Sequence, residues 1–157
     1  MPCLSLAVST RTKMKRIYAK EEVCIGCRLC EIHCIFEHSG HQTLVKAFSN
    51  RENLPEAAVR VEEDGAISFA LQCRHCEDAP CLAACIGGAM TRDPQTGAVK
   101  HDEEKCVGCW SCIMVCPFGA IRTNSETGKV GSKCDLCAGK ETPACVAHCP
   151  NEALVYE

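Results

Sequence analysis

The sequence predicts a small, loop-rich α+β fold in which cysteine takes much of the place of an ordinary apolar interior. Three observations predict it. Of 157 residues only 4% are aromatic, while 17 are cysteine, far above common usage. Sixteen of those cysteines fall into four groups of four, and only Cys3 is left over. Between the groups lie short β-prone runs bracketed by glycine, proline, asparagine and aspartate, the pattern of small hairpins.

Taken in order, residues 1–14 read as an N-terminal extension with little structure. Their brief apolar patch precedes Arg11, Lys13, Lys15 and Arg16, the reverse of the order an export signal needs. No stretch approaches the roughly 18 apolar residues that cross a bilayer. The expectation is therefore a cytoplasmic chain without a membrane span, and in a reducing compartment clustered thiols favour metal over disulfides.

Short strands are expected at "RIYA" before the first group and "ALVYE" after the last, which pair as edges if the chain ends meet. "AVRVEEDGAISFAL" has β character on both sides of Asp64–Gly65, a hairpin signal. The preceding "EHSGHQTLVKAFSNRENLPE" lacks clear periodicity and reads as a surface loop, a docking surface for a redox partner being the alternative. "AMTRDPQTGAVKH" forms a hairpin turning on Asp93, Pro94 and Gly97, and "AIRTNSETGKVGSK" is equally hairpin-like.

The groups are Cys24, Cys27, Cys30, Cys34; Cys73, Cys76, Cys81, Cys85; Cys106, Cys109, Cys112, Cys116; and Cys134, Cys137, Cys145, Cys149. In the last three, an alanine and an apolar residue follow four and five places beyond the final cysteine, at Ala89–Met90, Ala120–Ile121 and Ala153–Leu154. The first group has His38 and Ser39 instead. In C-x-x-C a tight turn lets two sulfurs face one centre, and Gly26 and Gly108 suit that turn. Zinc needs only two such pairs. The first and third groups instead read C-x-x-C-x-x-C-x-x-x-C, the run of bacterial ferredoxins, in which three cysteines grip one [4Fe–4S] cluster and the fourth reaches a neighbouring one. Proline follows at Cys116–Pro117 and Cys149–Pro150 and turns the chain out of its helix. The second and fourth groups delay their third cysteine, so loops bulge at 77–80 and 138–144, stiffened by Pro80 and Pro143. These loops are further candidate docking sites. Four [4Fe–4S] clusters are expected, zinc being the competing assignment. Spacing alone leaves open which groups pair.

From Lys15 to Glu157 the pattern resembles the four-cluster ferredoxin-like iron–sulfur electron-transfer subunits that accompany carbon monoxide dehydrogenases, hydrogenases, formate dehydrogenases and tungsten- or molybdenum-dependent oxidoreductases. "YAKEEVCIGCRLCEIHC", "FALQCRHC", "CVGCWSCIMVCPFGAIR", "KCDLC" and "TPAC" look closest to the branch associated with carbon monoxide dehydrogenase and aldehyde oxidoreductase. The resemblance implies two ferredoxin-like double-cluster modules. Residues 69–131 would form the inner one, 15–34 with 132–157 the outer one, and 35–68 a linker with its hairpin. It implies ligand sets Cys73, Cys76, Cys81, Cys116 and Cys106, Cys109, Cys112, Cys85 in the inner module. In the outer one it implies Cys24, Cys27, Cys30, Cys149 and Cys134, Cys137, Cys145, Cys34. Cys34 departs furthest from the repeat.

His33, His75 and His148 each precede a cysteine, but with every group complete they are expected as hydrogen-bonding or exposed residues rather than ligands. Trp110 is expected to shield a cluster from water. Sixteen thiolates and four oxidised cores take the formal charge from −3 to roughly −11, which disfavours nucleic acid and favours partners with basic faces. No activated serine, paired-carboxylate site or phosphate-binding glycine loop is recognisable. The expected role is that of an electron-carrying subunit, not an enzyme. It would link a catalytic oxidoreductase subunit, of the carbon monoxide dehydrogenase, tungsten or molybdenum aldehyde oxidoreductase or hydrogenase type, to a flavoprotein or ferredoxin. Self-association of copies into a longer wire is a further expectation. A cluster- or zinc-stabilised regulatory adaptor is the alternative.

Overall fold

A computed structural model describes residues 14–49 and 54–157. Most of the expected N-terminal extension, with Cys3, therefore lies outside the described residues. Among the described residues, eight short strands pair two by two, joined by five α-helices, a 3-10 turn at Glu21–Val23 and loops.

Strand β1 (Ile17–Ala19) pairs antiparallel with β8 (Leu154–Tyr156), Ile17 opposite Tyr156. Arg16 and Glu157 exchange backbone hydrogen bonds of 2.7 and 3.1 Å just beyond the ladder. Ile17 and Leu154 bury their side chains, so the pairing closes one end of the core. Helix α1 (Leu29–His38) then packs against α5 (Ala144–Ala147). Residues 35–38, read from sequence as the start of the linker, continue α1, and Leu44–Ser49 forms α2. The mixed polar composition hid them, because only Cys30, Cys34 and Ala47 of the two helices are buried.

The hairpin β2 (Val59–Asp64) and β3 (Ile67–Gln72) turns on Gly65–Ala66, with φ of +60° at Gly65. Glycine at that first central position carries the left-handed conformation a two-residue turn needs. Alternation aims Val59, Val61, Ala70 and Gln72 at the core, as strand period demands. Gln72 Nε2 donates to Ile17 O at 2.9 Å and Ser68 Oγ to Cys24 O at 2.8 Å, fastening the hairpin to the segment around the first cysteine group.

Two further hairpins repeat one turn. Between β4 (Met90–Arg92) and β5 (Val99–His101), Asp93 Oδ1 accepts from Gln95 N and Thr96 N, while Gly97 N donates to Asp93 O. Between β6 (Arg122–Thr123) and β7 (Val130–Ser132), Asn124 and Gly128 make the same contacts. Short carboxylate or amide side chains at that corner satisfy backbone donors that no strand reaches. Helices α3 (Pro80–Ala83) and α4 (Ser111–Met114) pack together, and Pro80 occupies the first turn of α3, where a missing N–H costs little.

The buried side chains form two groups. Ile17, Val59, Val61, Ala70, Leu136 and Leu154 gather round Cys30, Cys34, Cys73, Cys134 and Cys145. Met90, Val99, Ile121 and Val130 surround Cys81 and Cys112. No helix among the described residues is long and apolar enough to cross a membrane.

Candidate metal centres

The sixteen grouped cysteines come together at four cavities. Cys24, Cys27, Cys30 and Cys149 line one of about 340 Å³, measured with its open mouth. Cys73, Cys76, Cys81 and Cys116 line a second of about 330 Å³. Cys106, Cys109, Cys112 and Cys85 line a third of about 320 Å³. Cys134, Cys137, Cys145 and Cys34 line a fourth of about 280 Å³. Each takes three cysteines from one sequence group and its fourth from another. Among the described residues, no three or more His, Cys, Asp or Glu gather as a single bound ion would need. Four cysteines around one cavity are the ligand number of a [4Fe–4S] cluster and of a tetrahedral zinc alike.

Local backbone builds these sites. The residue before each second cysteine takes a left-handed conformation, at Gly26, His75, Gly108 and Leu136. At the non-glycine sites its N–H turns back to the first sulfur, His75 N to Cys73 Sγ and Leu136 N to Cys134 Sγ, each 3.4 Å. A second left-handed residue opens α1 and α4, at Arg28 and Trp110. The fourth cysteine has its own turn: Gly88, Gly119 and Glu152, three places on, are left-handed. Ala89 N and Ala153 N donate to Cys85 Sγ and Cys149 Sγ, both at 3.2 Å. At two of the three recurrent alanines, then, the backbone N–H faces sulfur.

Cys34 lacks that turn because α1 runs on through it. Ala58 N, from the segment before β2, donates to Cys34 Sγ at 3.3 Å instead. His38, one turn along α1, places Nδ1 2.8 Å from Cys34 O and Nε2 3.1 Å from Asp135 Oδ1. The Ala58 donor was not evident in sequence, since nothing local marks a donor arriving from 24 residues away.

Burial and charge differ among the cavities. Burial pushes the thiols of Cys30 and Cys134 up to about 12 and raises Cys81, Cys112, Cys137 and Cys145 as well. These sulfurs stay protonated until a metal displaces the proton. Cys109 moves the other way, lowered by its hydrogen bond with Ser111. Cys27 and Cys109 are exposed, beside Ile25 at 62% and Val107 at 66% exposure, so the Cys24 and Cys106 cavities open at the surface. All four cysteines of the Cys134 cavity are buried.

Several buried polar atoms point to an acceptor or donor that the protein does not supply. Six such side-chain atoms lack a partner among the described residues, and four belong to cavity-lining residues: Gln72, Arg74, His75 and His101. His75 is 2% exposed. Its Nδ1 accepts from Val99 N at 3.0 Å, so the proton sits on Nε2, the atom without a partner. Burial and then the Lys133 charge lower its pKa to about 3, leaving a neutral N–H donor at the Cys73 cavity. Such a donor fits the sulfide of a cluster. His33 and His148 instead stack on each other, 3.6 Å apart, where α1 meets α5.

The sequence expectation for Trp110 needs modifying. Its ring lines the Cys106 cavity and Nε1 donates to Gly128 O at 2.7 Å, but half of the residue stays exposed. A left-handed backbone at the head of α4 turns it outward, so it walls the cavity without closing it. The delayed-cysteine loops are both anchored. Arg92 donates to Cys76 O and Glu77 O, and Lys140 Nζ pairs with Glu37 at 2.5 Å.

Comparison with known proteins agrees with this chemistry. Residues 65–157 match the family described as a 4Fe-4S dicluster domain. The chain is 41% identical to an "Iron-sulfur protein" of Rhodospirillum rubrum, covering 88% of this chain and 79% of that one. It is 38% identical to the "Electron transport protein HydN" of Escherichia coli K12, over 88% and 85%. It is 33% identical to the "Thiosulfate reductase electron transfer subunit PhsB" of Salmonella typhi, over 87% and 71%. With its cysteine-lined cavities, the chain thus belongs to the 4Fe-4S dicluster family of iron–sulfur electron-transfer proteins and carries multiple [4Fe–4S] clusters.

Proposed function

We propose that the chain is a four-centre electron conduit, each cavity holding one [4Fe–4S] cluster on its four cysteines. Such clusters supply reversible one-electron storage. The observation that carries the reading is the exchange of fourth cysteines. Cys85 and Cys116 cross between the Cys73 and Cys106 cavities, and Cys34 and Cys149 between the Cys24 and Cys134 cavities. Each exchange fixes two centres at short range, as electron hopping requires. Lys133 touches both Cys73 and Cys134 and joins the pairs. The resulting order is Cys106, Cys73, Cys134, Cys24, with exposed Cys109 and Cys27 at the two ends.

In this reading residues 69–131 are the inner module, and 15–34 with 132–157 the outer one. The chain works in the cytoplasm between a catalytic oxidoreductase subunit and a flavoprotein or ferredoxin. The name of the Salmonella relative, an electron transfer subunit of thiosulfate reductase, supports a subunit role. The sequence likeness favours a catalytic partner of the carbon monoxide dehydrogenase, tungsten or molybdenum aldehyde oxidoreductase or hydrogenase type. Protein purified without oxygen is expected to contain about sixteen irons and sixteen sulfides per chain. Full reduction should give a broad, split EPR signal from interacting centres. About eight irons, or four magnetically isolated signals, would refute the conduit.

A further inference from the structure

Lys133 lies between β7 and the fourth cysteine group, at the junction of the two central cavities. Its half-buried ammonium is held by Val99 O at 2.7 Å and Cys134 O at 3.0 Å, and donates to Cys73 Sγ at 3.0 Å. Among the described residues it is the one lysine or arginine hydrogen-bonded to a cysteine sulfur; the other partners of cysteine sulfur are backbone N–H groups, the Ser111 side chain at Cys109 and His38 Nδ1, 4.0 Å from Cys34 Sγ. Two carbonyls take its other protons, so the ammonium is fixed in place and does not swing into solvent.

We infer that Lys133 is a positioning residue for electron flow: its fixed charge raises the reduction potential of the centre held by Cys73, Cys76, Cys81 and Cys116. The inference rests on the four-centre reading above. An electron arriving there adds one negative charge to a site already rich in thiolate. A cation hydrogen-bonded to one of those sulfurs favours the reduced form more than the oxidised one, and charge-assisted hydrogen bonds are about twice as strong as neutral ones. The unpartnered Nε2–H of His75 acts in the same direction on the same cavity. The electron comes from the neighbouring centre and leaves to the next, so no other reactant is required. Lys133 thereby makes the Cys73 site a resting station at the inner end of its pair, and its bond to Cys134 O ties that station to the other central site.

The test is potentiometric titration followed by EPR on the intact, cluster-loaded protein. Lys133→Met should weaken the electron affinity of one centre about tenfold, equivalent to 59 mV for a one-electron couple. The other three should move much less. Marking the Cys73 site with Cys76→Ser identifies which signal moved. Lys133→Arg, which keeps the charge, should restore most of the affinity, and Lys129→Met, which removes an exposed charge donating to Glu103 O, should shift no single centre selectively. Should Lys133→Met fail to assemble, Lys133→Gln carries the same expectation, since it retains a donor without the charge. Four unmoved potentials, an equal shift of all four, a selective shift at another site, or an arginine variant that behaves like methionine would overturn the inference. Wild-type protein without four centres would overturn the conduit instead, and iron analysis before titration separates the two failures.

Discussion

Cys149 lies four residues beyond Cys145, yet its sulfur lines the Cys24 cavity, not the Cys134 cavity. Removing it therefore tests crossed ligation directly. Each cavity presents four cysteines, so loss of one site removes about four irons. Cys149→Ala alone should lower iron from about sixteen to about twelve per chain. The informative experiment combines it with a second removal. In Cys24→Ala/Cys149→Ala both changes strike one cavity, and iron should stay near twelve. In Cys134→Ala/Cys149→Ala they strike two, and iron should fall to about eight. Ligation within each sequence group predicts the opposite pattern. Iron and sulfide analysis, with EPR spin quantitation on the same samples, reads the result. About eight irons in the first double variant together with about twelve in the second would refute the crossed arrangement.

Other positions give independent expectations. Gly108 has φ of +71°, and a Cβ there would sit 3.0 Å from Gly128 O, whereas Gly88 has φ of +63° with nothing within 4 Å. Gly108→Ala should therefore cost more than the roughly 1–2 kcal/mol of left-handed strain alone, and Gly88→Ala only that strain; equal rates of thermal bleaching of the visible absorbance would contradict this. The Asp93 carboxyl is held down to about 2, first by Lys100 and then by Gln95 N and Thr96 N. Its contribution to the turn is complete above the ordinary value of 3.8 and is lost as pH falls through about 2. At pH 4 about 1% should be protonated, against about 40% for an ordinary aspartate, and a ¹³C carboxyl shift already part-way through titration at pH 4 would sink the assignment.

Much of the architecture was legible because ligand chemistry constrains local spacing. Cys106–Cys112 can wrap one centre only if the chain turns at Gly108, and Asp93 and Asn124 announce their turns through side chains that bond their own backbone. The β1–β8 closure was readable as two short β-prone ends. The interior devices were less so. Helix α2 and the continuation of α1 to His38 lacked an apolar stripe, and His75 and Leu136 carry, without being glycine, the left-handed turn that Gly26 and Gly108 make in the other groups. Ala58 and Lys133 reach Cys34 and Cys73 across 24 and 60 residues of sequence. An alanine N–H looks the same in a string of letters whether it faces water or sulfur.

The wide separation of the partners at the Cys24 cavity also has a consequence for biosynthesis. While the polypeptide is being made, the Cys73 and Cys106 cavities have all their cysteines once residue 116 has emerged from the ribosome. The Cys24 cavity has only three until residue 149 follows. On the proposed ligation, maturation would be staged by translation itself, with the middle of the chain ready for metallation first and the first-made thiols waiting longest, exposed to oxygen and scavenging metals until the last segment arrives.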